Sequence, residues 1–222
     1  MNGTVVLQGI VGSVAYGLAT PESDVDRLGG FFAPTEEFLG LGTPTQTYVT
    51  HEPDQTLHEL GKLCALLLKA NPTVTELLWL DSYEIATGPG LELVRMRDKF
   101  LSATPVRNAY FGYATQQFRK LCERDGTFSS DTIHRTAKHG RHLLRLLDQG
   151  LTLYQTGHLS VLLADPERYM DFGRAVAKDP TVGATAIAEY EAKFNSLTSP
   201  LPDRPAHELV NVWLVETRKR MM

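Results

Sequence analysis

A chain of 222 residues, 42% hydrophobic and 22% charged, has the length and composition to bury one larger core or two smaller ones. Its formal net charge of −4 excludes a protein that coats long nucleic acid with a basic surface, leaving room only for a local basic patch. The two cysteines, Cys64 and Cys122, give no disulfide framework or zinc cluster and read as buried packing residues; no signal peptide opens the chain and no apolar run nears the ~20 residues of a membrane span, so a cytoplasmic protein is expected.

Residues 4–11 (TVVLQGIV) are β-branched and apolar, the pattern of a buried strand. A second strand is expected over 25–32, closed by Pro34, and a third over 45–53 (TQTYVTHEP). Leu57, Leu60, Leu63, Cys64, Leu67 and Leu68 then fall on one helical face, and Asn71 before Pro72 stops that helix. Thr73 and Glu76 form a capping-box pattern for a short helix through Leu80, and Thr56 with Glu59 forms another. Beyond residue 90 helical patterns dominate, over 90–101, 105–124, 131–149, 166–178, 182–196 and 205–220. The chain therefore divides into an α/β half, residues 1–103, and a helical half, residues 104–222, with "TGPG" and "SATP" as candidate joints, a proline-rich linker at 196–205 and no internal repeat.

The chemistry concentrates in residues 12–26, GSVAYGLATPESDVD. A Gly-Ser pair between a strand and a helix offers backbone N–H groups and a hydroxyl to an anion. Asp24 and Asp26 are two apart, which in a strand places both carboxylates on one face. Such a pair repels itself unless a cation intervenes, and Mg²⁺ accepts carboxylate and phosphate oxygens together. The pattern points to phosphoryl or nucleotidyl transfer with two metals. The competing reading is a solvated turn in which Asp24 caps its own backbone.

GSVAYGLATPESDVDRLGGFFAP resembles the G-S, D-x-D signature of the DNA polymerase β nucleotidyltransferase superfamily, and within it the nucleotidyltransferases associated with RNA repair operons. The resemblance continues in DQTLHELGKLCALLLKANPTVTELLW, in KHGRHLLRLL and, weakly, in TGHLSV, so it spans most of the chain. It implies an α+β protein with an N-terminal nucleotidyltransferase domain built on a small mixed sheet, followed by a C-terminal helical domain that binds substrate or nucleotide, with substrate in the cleft between them. It further implies that Gly12, Ser13 and Ser23 bind an NTP, and that Asp24, Asp26 and Asp54 are catalytic and bind two Mg²⁺ ions, Mn²⁺ being an alternative. Asp54 would also polarise the attacking hydroxyl; its competing role is a helix N-cap. Val14 departs from the group's pattern, standing where an arginine often follows the Gly-Ser pair.

On the helix expected over 131–149, Lys138, Arg141, His142 and Arg145 cluster on one side, with Arg135 nearby. Lys138, His142 and Arg145 match the resembled helix and are expected to bind the nucleotide through a cationic face. His58 and Lys62 match the second block and are candidates to face the site, whereas His51 and His58 lack the third ligand a metal site needs. Glu76 to Trp79 read as helix packing, and Asn71 as a residue shaping the pocket. The expected activity is transfer of an NMP from an NTP to an acceptor hydroxyl, an RNA 3′ end favoured, with release of pyrophosphate. A protein or small-molecule acceptor is the alternative, as is a non-catalytic module that binds a nucleotide or partner on the same fold.

Overall fold

The computed structural model describes residues 3–122 and 130–221. Its elements run β1 (Thr4–Ile10), α1 (Gly12–Tyr16), β2 (Arg27–Phe32), α2 (Glu36–Leu39), β3 (Thr47–His51), β4 (Asp54–Glu59), α3 (Leu60–Leu67), α4 (Pro72–Leu77), β5 (Ile85–Ala86) and α5 (Gly88–Arg95). A 3-10 turn (Arg97–Phe100) leads into α6 (Ala103–Cys122), α7 (Ser130–Thr156), α8 (Pro166–Lys178), α9 (Thr181–Ser196) and α10 (His207–Arg220). The chain divides into two compact units, Met1–Ser102 with Arg204–Met222, and Ala103–Asp203. The helix expected to close the helical half thus belongs to the first unit. No described helix is long and apolar enough to cross a membrane.

In the first unit an open mixed sheet has the order β3-β4-β2-β1-β5. β2 and β4 pair in parallel, with Arg27 opposite Gln55 and Leu28 opposite Thr56; the other pairings are antiparallel. Phe31, Ala33 and Leu57 form a buried cluster, joined by the partly buried Val5, Phe38 and Tyr48. Leu60, Leu63 and Leu67 of α3 are fully buried, each contributing about 1.5–3 kcal/mol. β1 and β2 lie so close at Gly29 that a Cβ there would fall 2.4 Å from the Leu7 carbonyl oxygen.

Three local expectations are corrected. Residues 54–59 form a strand, because pairing with both β2 and β3 outweighs the helical spacing of Leu57 and Leu60. Thr56 therefore lies inside β4, and Glu59 caps α3, its side chain accepting from the Gly61 N–H at 2.6 Å. Asn71 likewise caps α4, accepting from the Val74 N–H, so that helix starts at Pro72 and Thr73 lies within it.

α10 is fastened to this unit by charge. Arg218 Nη2 donates to Oε1 of the buried Glu59 at 2.9 Å, and its guanidinium stacks 4.0 Å over Phe38. Trp213 Nε1 and both Arg220 Nη atoms donate to Glu92 of α5. Cys64 is buried, as expected, and burial with the Glu59 charge pushes its thiol up to about 12. The side chain of Cys122 lies outside the described residues.

The second unit is helical, as expected. α7 buries Leu143, Leu144, Leu146, Leu147 and Leu153. α7 and α8 meet glycine to glycine, a Cβ on Gly140 falling 3.0 Å from the Gly173 Cα. Asp148 accepts from Arg168 of α8 at 2.7 Å and from the Tyr190 hydroxyl of α9, tying three helices together.

Candidate active site

β1 ends at Ile10, and the backbone turns through Gly12 into α1. Gly12 has φ +71°, a left-handed conformation that costs an L-residue about 1–2 kcal/mol. A Cβ on Gly12 would fall 2.3 Å from Oδ2 of Asp26, so the missing side chain is the space that the carboxylate fills. The Val11 N–H donates to the Asp26 carbonyl at 2.9 Å, clamping the turn to the lead-in of β2. Ser13 stands in the first turn of α1 and Ser23 in the turn before the carboxylates. The Ser23 hydroxyl oxygen accepts from the Thr20 N–H at 2.8 Å, so that side chain already supports the loop.

The parallel register brings the second carboxylate in. The paired segment begins with Arg27 opposite Gln55, so Asp26 and Asp54 each stand one residue before it on neighbouring stretches of the chain. Asp54 opens β4, across the hairpin from His51, and is not a helix cap. Asp26 is half-buried, while Asp24 and Asp54 are exposed. Among the described residues no group of three or more His, Cys, Asp or Glu side chains is gathered to hold a metal ion, the expected trio of Asp24, Asp26 and Asp54 included. Mg²⁺ in nucleotide-transfer sites is held by one or two carboxylates, with substrate phosphates and water completing its shell. Asp24, Asp26 and Asp54 are oxygen donors of the kind that Mg²⁺ prefers.

The surroundings hold residues that sequence reasoning missed. The Tyr16 hydroxyl donates to the buried Glu76 at 2.8 Å from each carboxylate oxygen, pinning α1 to α4. Glu76 therefore does more than pack, and a buried glutamate in an apolar helix turn is the signal that would have shown it. Arg27 Nε donates to Glu84 at 2.9 Å, and Gln8 Nε2 donates to the same carboxylate at 3.0 Å. This hydrogen bonding holds the Glu84 carboxyl below the usual range and pairs Arg27, the residue after Asp26, with an acid just before β5. Arg27 could have been noticed as the one cation adjoining the D-x-D run.

On α7 the expected cationic face is largely turned to internal use. Lys138 is exposed, but Arg145 is only 2% exposed and donates to Gln149 Oε1 at 2.6 Å, with His142 Nδ1 3.0 Å from its Nη2. Burial and the Arg145 charge push the His142 imidazolium down to about 3, so His142 is neutral and serves as a partner to Arg145. Arg141 donates to Met170 Sδ of α8.

The open mixed sheet followed by helices is the α+β architecture expected of a polymerase β-like nucleotidyltransferase. The chain belongs to the RNA repair pathway DNA polymerase beta family, which matches residues 2–167. No curated protein matches it significantly. The match includes α1, β2 and β4 and ends within α8, so α9 and α10 lie beyond it.

Proposed function

We propose that this protein transfers a nucleoside monophosphate from an NTP to an acceptor hydroxyl, and that the acceptor is an RNA 3′ end. The observation that supports the reading is the parallel pairing of β2 with β4, before whose first pair Asp26 and Asp54 stand, with Gly12 leaving room for the Asp26 carboxylate. Membership of an RNA repair family favours RNA over other hydroxyl acceptors.

In this reading Gly12 and Ser13 bind the triphosphate, and the Val11–Asp26 backbone bond holds their turn at a fixed place against the carboxylates. Asp24, Asp26 and Asp54 would hold the divalent cations. Two bound Mg²⁺ ions, or Mn²⁺ in their place, supply charge neutralisation of the triphosphate and make the acceptor hydroxyl easier to ionise. Asp54 orients that hydroxyl and draws its proton. The acceptor oxygen forms a bond to the α-phosphorus as the bond to the bridging oxygen breaks, and pyrophosphate leaves with the electron pair. Tyr16 and Glu76 keep α1 from drifting while the nucleotide binds. On the second unit, the His142–Arg145 pair supports its own helix, and Lys138 is left exposed.

The test is transfer of label from each of four α-³²P-labelled NTPs, with Mg²⁺ or Mn²⁺, to total RNA, total protein and the enzyme itself. Label in RNA that disappears in Asp24→Asn/Asp26→Asn supports the reading. Label confined to protein replaces the acceptor, and nucleotide binding without label in any pool replaces transfer with simple binding.

A further inference from the structure

Thr47, His58 and Lys62 form a hydrogen-bonded cluster away from the carboxylates. Lys62 Nζ, from the start of α3, donates to Thr47 Oγ1 at 2.5 Å, and that oxygen lies 3.1 Å from His58 Nδ1. Thr47 and His58 are direct partners in the β3–β4 register and so share a face of the sheet. A threonine hydroxyl has one proton. With its oxygen accepting from the ammonium, that proton is available to His58 Nδ1, and in this tautomer the ring proton lies on Nε2. Burial and the Lys62 charge hold the His58 imidazolium down, in keeping with a neutral ring.

In that tautomer the cluster offers only donors to its surroundings: two remaining ammonium N–H groups and one imidazole Nε2–H. Among the described residues Lys62 meets no carboxylate, and it is half-buried. A partly desolvated cation of this kind is electrostatically incomplete without an anion. The cluster also lies on the same strand face as the active site. Side chains alternate along β4, so Asp54, Thr56 and His58 point the same way, and the four-residue step from Asp54 to His58 covers about 13 Å. The triphosphate in the reading above belongs at Gly12 and Ser13, beside Asp26 at the far end of that step. A phosphate bound at Lys62 therefore belongs to the other substrate.

We propose that Lys62 and His58, aligned by Thr47, bind a backbone phosphate of the acceptor strand on the β3–β4 hairpin. The proposal rests on the nucleotidyl-transfer reading and assigns where its acceptor is held.

The experiment measures binding, by fluorescence anisotropy, of a labelled single-stranded RNA oligonucleotide and, separately, of a fluorescent ATP analogue. Wild type, Lys62→Ala, Lys62→Arg and Thr47→Val are compared over a salt series, with melting temperatures alongside. The expected result is that Lys62→Ala weakens RNA about tenfold and lowers the slope of log Kd against log salt by about one. Lys62→Arg restores most of the affinity, and the ATP analogue binds all variants alike. Loss of the ATP analogue together with RNA would overturn the proposal in favour of a triphosphate contact. Unchanged RNA affinity with a lowered melting temperature would overturn it in favour of a plain clasp between α3 and β3. Label transfer by wild type is measured independently: if it fails while the Lys62 effect on RNA persists, the transfer reading falls and the phosphate site stands.

Discussion

Substituting Gly12 by alanine separates backbone strain from damage to the site. At φ +71° alanine costs about 1–2 kcal/mol. For a chain of this length that lowers the melting temperature by roughly 2–8 °C. The new Cβ also falls 2.3 Å from Asp26 Oδ2, against an ordinary contact of about 3.5 Å, so the carboxylate must retreat by about 1 Å. A displacement of that size at reacting groups costs on the order of 100-fold in rate. Gly157→Ala is the matched control, with φ +70° and only Leu201 Cδ2 at 3.4 Å. The assay is single-turnover transfer from an α-labelled NTP at a temperature where both variants are folded. Similar melting shifts are expected in the two, with the rate lost in Gly12→Ala alone. Equal activity in both would refute the claim that Gly12 makes room for a working Asp26.

Arg218→Met leaves the buried Glu59 carboxylate without its cation and is expected to cost about 3 kcal/mol in chemical denaturation, part of it recovered by adding Glu59→Gln. Cys64, with its thiol pushed up to about 12, is expected to resist iodoacetamide at pH 8 in the native protein and to react on unfolding, as read by peptide mass spectrometry. Arg220 and Trp213 hold the Glu92 carboxyl at about 2, below its ordinary 4.5, so its contribution is complete above pH 4.5 and is lost as pH falls toward 2. Glu92→Gln should therefore flatten the melting-temperature profile over that window; an unchanged profile would remove Glu92 from the α10 attachment.

The parts of the fold legible in the sequence are those fixed by near neighbours. The apolar run into β1, the Gly-Ser turn, and the periodic helices α6 to α9 all show at short range. β4 was hidden because Leu57 and Leu60 satisfy a helical spacing as well as a strand end, and only pairing with β2 and β3 decides between them. β5, two residues long, exists only through its partner β1. The return of α10 depends on Arg218 meeting a glutamate 159 residues earlier, which no window of sequence contains. At the site, the D-x-D spacing exposed Asp24 and Asp26, whereas the parallel pairing of β2 with β4, before whose first pair Asp26 and Asp54 stand, follows from strand register. On α7 the polar stripe suggested an open cationic face, but Gln149 and His142 supply Arg145 with partners one turn away on either side, and a helical wheel does not show that.

The central claim is that Asp26 and Asp54 act as one site for nucleotidyl transfer. Its most direct test is the single-turnover rate from an α-labelled NTP for wild type, Asp26→Asn, Asp54→Asn and the double variant. If the two carboxylates act together, each single substitution abolishes most of the rate and the double variant is no worse than either. Full activity in Asp54→Asn, or losses that simply multiply in the double variant, would contradict it.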